Sequence, residues 1–269
     1  MTSLPFIDSE TVFDVLTWER AITGVEAALA GDVDPEDDGP RLFADNPLGE
    51  WLIMPTHTKG ALGVKILTVS PENPERGLEK IQGTYLLFDA DTAGPKAIIE
   101  GTSLTTIRTS AVTTVGLRAL AKAAPAGGEL PDNPRIVIFG VGTQGVHHAL
   151  AAQWAWPKAT FELIGRRPER VQAAIEKLAT HGLTASDAGA DPEAAVSQAD
   201  IVITTTTSAT PVLEGAWIKP NALVASIGMH GLDARELPAD LILRSDVLLE
   251  SRGGMFREGG NITLSLIHI

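Results

Sequence analysis

The sharpest chemical signal in the sequence is a trio of glycines, Gly140, Gly142 and Gly145, spaced G-x-G-x-x-G. They follow the apolar run 135–139 and open the helical segment 144–154. Gly140 permits a tight turn, Gly142 lets the backbone approach a pyrophosphate, and Gly145 lets helix and strand pack closely. The start of the helix, at Thr143 and Gln144, then turns its N–H groups towards phosphate oxygens. This is the chemistry of a dinucleotide site, weighed against a plain glycine turn.

An NAD site carries an acid roughly 20 residues past the glycines, where it binds the ribose hydroxyls. Here that stretch reads Gly165-Arg166-Arg167-Pro168-Glu169-Arg170. Guanidinium forks match a phosphate. NADP is therefore expected ahead of NAD, with Arg166, Arg167 and Arg170 on the extra phosphate; a solvated basic turn is the plainer alternative. Thr204 and Thr205, in a run of four threonines, close a later strand. They either line the cofactor crevice or fill space as β-branched residues.

The elements that must hold these residues alternate from residue 135 onward. Strands are expected at 135–139, 160–164, 199–204, 222–227 and 247–250, with helices at 144–154 and 168–178. That alternation predicts an α/β fold: a Rossmann-type, doubly wound parallel sheet covered on both faces. The stretch 125–134, with Gly127, Gly128, Pro131 and Pro134, reads as a linker. It divides a substrate-binding and dimerisation domain, 1–125, from a dinucleotide-binding domain, 126–255.

The first domain reads as a smaller α+β unit. Residues 5–8 form a short strand leading to a helix capped by Asp8 or Ser9. Trp18, Ala21, Ile22, Val25 and Leu29 share a helical face ended by Gly31. Strands are expected at 51–54, 62–69 and 84–88, and a long helix at 104–123.

With 34 acidic against 21 basic residues the formal net charge is −13, which disfavours nucleic acid and anionic membrane as partners. The chain has no cysteine, which excludes disulfides, thiol nucleophiles and Cys-based zinc sites. No metal site is expected, since no H-x-x-x-H pair occurs, and no G-x-S-x-G elbow suggests a hydrolase. No secretory signal or membrane-spanning run is read, and the expected setting is cytoplasmic.

A nucleotide fold does not name a reaction. The first domain narrows it. Glu100-Gly-Thr-Ser-Leu104-Thr-Thr-Ile-Arg108-Thr-Ser-Ala111 resembles the "LTxxRTAA" signature of the ornithine cyclodeaminase/mu-crystallin family. Gly60-Ala-Leu-Gly63-Val-Lys65 resembles its "GxK" strand, and Gly39-Pro40-Arg41 its upstream arginine. Residues 81–89, 199–204 and 211–213 also match the family, in order along nearly the whole chain. The resemblance implies a two-domain homodimer with the substrate between its domains. It places Arg41, Lys65 and Arg108 around a substrate carboxylate. Arg108, in the first turns of a helix, adds a guanidinium to the helix dipole. Lys65, read at a strand end in an apolar setting, is suited to desolvation and proton transfer.

The sequence departs from the cyclodeaminases in 225–237. His230 stands where they carry a water-activating Asp, and Ala234 where they carry a Lys. His230 titrates near neutral pH and suits proton transfer in a reductase or dehydrogenase; a surface-loop histidine is the plainer alternative. Hydride transfer between NADP (or NAD) and a small imino or amino acid is therefore expected, with Lys65 and His230 catalytic. The alternatives are ornithine cyclodeamination with NAD recycled, and a non-catalytic NADPH or small-ligand binding protein. Residues 256–264 resemble the start of the family's return segment. Family members continue there with a closing helix, so the expectation is a truncated chain whose last five residues are not native.

Overall fold

The computed structural model describes residues 3–31, 33–58, 60–124, 128–228 and 231–266. The chain divides into two compact units, Met1–Arg108 and Thr109–Ile269.

The first unit holds β1 (Phe6–Ile7), α1 (Ser9–Val15), α2 (Trp18–Ala30), β2 (Leu42–Asn46), β3 (Gly49–Thr58), β4 (Ala61–Val69), β5 (Ile81–Phe88) and β6 (Pro95–Glu100). The six strands lie in the order β1-β6-β5-β4-β3-β2. β1 runs parallel to β6, and the other neighbours are antiparallel. Local caps set the helices. Asp8 Oδ1 accepts from Thr11 N at 2.9 Å, and Thr17 Oγ1 accepts from Arg20 N at 3.3 Å. Because Thr17 takes extended backbone as a second cap, the helical stretch is two helices. β2 was not expected from the sequence. It is an edge strand exposed along most of its length, so it lacks the apolar alternation that marks a half-buried strand.

The long helix α3 (Gly101–Ala123) starts directly on β5. A Cβ at Gly101 would stand 2.5 Å from the Gly83 carbonyl carbon, so only glycine permits this approach.

The second unit continues with β7 (Arg135–Phe139), α4 (Thr143–Ala155), β8 (Thr160–Ile164), α5 (Pro168–Thr180), β9 (Ala185–Asp187), α6 (Pro192–Gln198), β10 (Ile201–Thr204), β11 (Leu223–Ser226), α7 (Ala239–Leu243), α8 (Arg252–Glu258) and α9 (Gly260–Leu266). Its sheet is parallel throughout, in the order β11-β10-β7-β8-β9. The chain winds outward from β7 through β8 and β9, then returns to β7's other side for β10. The strand order therefore reverses between β7 and β10, the place where such sheets bind ligands. Ile136, Ile138, Leu163, Ile201 and Ile203 are fully buried. Their unbroken apolar runs fit a sheet covered on both faces.

The two units part at Arg108/Thr109, inside α3, rather than at the Gly/Pro stretch expected from the sequence. A buried histidine accounts for this. His148 of α4 lies 3.1 Å from Thr113 Oγ1 and 3.4 Å from Ser110 Oγ, which ties the later part of α3 to the parallel sheet's helices. Residues 247–250 are not the last strand that the sequence suggested. Val247 and Leu248 are about half exposed and join no ladder among the described residues. No described helix is long and apolar enough to cross a membrane.

Candidate functional site

In the second unit the glycine loop joins β7 to α4. Gly140 takes φ +96°, a backbone few side chains tolerate. A Cβ on Gly145 would run into the Gly140 carbonyl oxygen, so helix and turn touch backbone to backbone. A Cβ on Gly142 would meet nothing within 4 Å, leaving open space over the loop. Gly142 is also the N-cap of α4 and brings no side-chain acceptor to the first turn. Beside it, the buried Gln144 Oε1 has no hydrogen-bond partner. An open cradle, an uncapped helix start and an orphaned amide oxygen together fit a dinucleotide. Gly140, Gly142, Thr143, Gln144 and Gly145 thus meet at one place.

The arginines follow β8, the neighbour of β7. Arg166, Arg167 and Arg170 are exposed. Arg167 is the N-cap residue of α5, and Pro168 holds its first turn. A Cβ on Gly165 would stand 3.1 Å from Val141 in the glycine loop, so this turn lies against that loop.

Of the two threonines, Thr204 departs from the crevice-lining expectation. Thr204 is fully buried and donates to Glu236 Oε2 at 2.9 Å, turned inward. Thr205 Oγ1 donates towards the carbonyl oxygens of Phe139 and Gly140, at 3.1 and 3.2 Å. It props the glycine loop from below.

Glu236 lies in the 225–237 stretch and carries no motif of its own. It is fully buried. Its Oε1 accepts from Thr206 N and Thr206 Oγ1, both at 2.6 Å. Its Oε2 accepts from Thr204 Oγ1, Ser226 Oγ at 3.0 Å and Gly228 N at 2.8 Å. Asn261 secures its backbone, with Oδ1 accepting from Glu236 N at 2.8 Å and Leu237 N at 3.1 Å. No spacing rule links residues 204, 226, 236 and 261, so this cluster carries no local sequence signal.

In the first unit, Lys65 stands in the middle of β4, not at the strand end expected, because the strand runs on from Ala61 to Val69. It is half-buried, opposite Met54 on β3 and Tyr85 on β5. Arg41 immediately precedes Leu42, whose partner is Ile53, so the next pair in that register sets Arg41 opposite Met54. Lys65 and Tyr85 share one face of the sheet, and Arg41 lies just before β2. Tyr85, the only tyrosine in the chain, was missed by the sequence reading. Its ring lies across Gly63, where any Cβ would strike the phenol. Burial, and then the charge of Asp38, hold its hydroxyl above the ordinary phenol range, so it stays a neutral donor.

Arg108 follows two turns into α3, whose start is fixed by Glu100. That carboxylate accepts from Thr102 N at 2.8 Å, Ser103 N at 2.7 Å and Ser103 Oγ at 2.6 Å. Burial raises its pKa, but these donors outweigh burial and hold it below the usual carboxylate value. His230 lies outside the described residues.

This is a parallel sheet unit with a dinucleotide-type glycine loop, joined in the chain to a six-stranded, mostly antiparallel unit. The family model for "Ornithine cyclodeaminase/mu-crystallin family" matches residues 10–268, and the chain belongs to that family. It is 32% identical over 254 residues to the Delta(1)-pyrroline-2-carboxylate reductase of Paracoccus denitrificans, covering 93% of this chain and 76% of that one. It is 30% identical to the Delta(1)-pyrroline-2-carboxylate/Delta(1)-piperideine-2-carboxylate reductase of Azospirillum brasilense, over 99% of this chain and 83% of that one. Among solved structures it resembles Delta(1)-pyrroline-2-carboxylate reductase of Thermococcus litoralis in complex with NADH and L-proline. The TM-score is 0.86 at 24% identity, covering 98% of this chain and 81% of that one.

Proposed function

We propose that the protein is a nicotinamide-dependent reductase of small cyclic imino acids, of the Delta(1)-pyrroline-2-carboxylate kind. The observation that carries this reading is the open glycine cradle at the strand-order reversal, in a chain so similar to curated reductases of that kind. Gly140, Gly142, Thr143, Gln144 and Gly145 hold the pyrophosphate. Arg166, Arg167 and Arg170 favour NADP over NAD, because their guanidinium groups match a phosphate where an NAD site has an acid. When bound, the reduced cofactor supplies the hydride.

The substrate's carboxylate is clamped by Arg41 and Arg108. Lys65 or His230 delivers the proton. The imine carbon gains the hydride, the nitrogen gains the proton, and the C=N double bond becomes a single bond. Tyr85, a neutral donor beside Lys65, keeps a hydrogen bond available on the same face. We also read the protein as a homodimer. The support is the apolar exposure of Leu42, Phe43, Leu48 and Trp51 on and beside the β2–β3 edge.

The test is loss of reduced-nicotinamide absorbance with pyrroline-2-carboxylate as substrate. Turnover with NADPH, weaker with NADH, is expected. Arg108→Ala should lower kcat/KM roughly 100-fold, the scale of a lost charge-assisted carboxylate contact. Ammonia release from ornithine without net cofactor oxidation would replace this reading with a cyclodeaminase. Tight NADPH binding with no turnover of imino or amino acids would replace it with a binding protein.

A further inference from the structure

The Glu236 carboxyl is buried at the carboxyl ends of β10 and β11, next to the place where the parallel sheet reverses its strand order. Its carboxylate grips the chain just beyond β10 through Thr206, and just beyond β11 through Gly228. The first of those segments also meets the glycine loop, where Thr205 Oγ1 donates to the Gly140 carbonyl oxygen at 3.2 Å. A Cβ on Gly228 would strike the Thr206 backbone and come within 2.6 Å of Glu236 Oε1, so the two segments touch only because this residue is glycine.

All the side-chain and backbone groups that meet this carboxylate among the described residues are uncharged: Thr204, Thr206, Ser226 and Gly228. Neutral donors spread a negative charge without cancelling it. Inside the protein the effective dielectric is low, so the field of such a charge extends further than it would in water and is little screened by salt. The two oxidation states of a nicotinamide differ in charge: the oxidised ring is cationic and the reduced ring is neutral. An anion beneath the crevice discriminates between them.

We propose that Glu236 is a positioning residue of the dinucleotide crevice and that its buried charge tilts the crevice towards the oxidised cofactor. The inference rests on the cofactor reading above. It makes Glu236 a determinant of product-cofactor release, since a reductase must let the oxidised dinucleotide go after each turnover.

The experiment is a titration of the full chain with oxidised and reduced dinucleotide, in both the NAD and NADP pairs, following tryptophan quenching. In Glu236→Gln the dissociation constant for the oxidised form, divided by that for the reduced form, should rise about fivefold, as expected for one charge removed at protein-like dielectric. A purely structural role would weaken both forms together and leave that ratio unmoved, which would overturn the proposal. Gln must turn an amide donor towards N–H groups that already point inward, so this variant risks misfolding. Glu236→Asp and Ser226→Ala then carry the test. Both keep the charge, so both should keep the ratio within about twofold, whatever they cost in stability. A fivefold change in either would show that charge is not the source. If the unaltered protein binds neither form, the cofactor reading itself fails; if it binds both and the ratio never moves, only the role of Glu236 fails.

Discussion

His148 is nearly devoid of solvent contact, with Nδ1 donating to the Gln144 carbonyl oxygen at 2.7 Å. Burial pushes its pKa down to about 4, against the weaker opposing effect of that backbone bond. Its neighbour His147 is also lowered to about 4, by burial first and then by the charges of Lys177, His181 and His148. In the unfolded chain both titrate near 6.5. Between these values the unfolded state binds protons that the folded state does not, so stability falls as pH drops from 6.5 towards 4. The loss from His148 alone is roughly 2–3 kcal/mol across that window. Urea unfolding at successive pH values should show this decline, and His148→Gln should make it shallower. An unchanged slope in that variant would refute the assignment. The glycines and the basic residues of the proposed site are the ones that spacing and motif resemblance bring forward. His148, Tyr85 and Glu236 are not among them. Their roles depend on partners 35, 20 and 32 positions away, as with Thr113, Lys65 and Thr204, and nothing local records such a pairing.

Among the elements, α3 matters most to the proposed site because it carries Arg108. Its first turn is pinned by the Glu100 carboxylate and by the glycine contact with β5. Removing that cap should loosen the turn. Glu100→Ala is expected to cost about 1–2 kcal/mol of stability, the usual value of a helix cap, measurable as a shifted urea midpoint. It should also raise KM for the imino acid more than it lowers kcat, because the guanidinium is displaced rather than lost. Longer elements were legible: β4, β5, β7, α4, β8 and α5 fall close to where periodicity and turn residues put them. The strand β9 and the helix α6 escaped. β9 spans three residues and is mostly exposed, too short and too polar for an alternation to register. The apolar run at 247–250 misled for the converse reason: β-branched and leucine content without a ladder to join.

For the molecule as a whole, the −13 charge and the apolar edge of the first unit pull in opposite directions. Acidic surfaces repel, while exposed Leu42, Phe43 and Trp51 favour contact between copies. With Trp51 43% exposed, Trp51→Glu should convert a dimer to monomer in light scattering without unfolding it. A parent that is already monomeric would dismiss the dimer reading. The fold class was legible at this scale because strand–helix alternation and glycine placement are both local. The location of the border between units was not, since it depends on what α3 packs against. One further consequence follows from Asn261. Its side chain holds Glu236 N, Leu237 N and Ser226 Oγ, yet it is added to the growing chain after every strand of the parallel sheet. Every strand of the sheet is therefore complete in a chain that still lacks the residue holding Glu236 N and Ser226 Oγ. Chains truncated just before and just after that residue should differ in dinucleotide affinity while having the same set of strands.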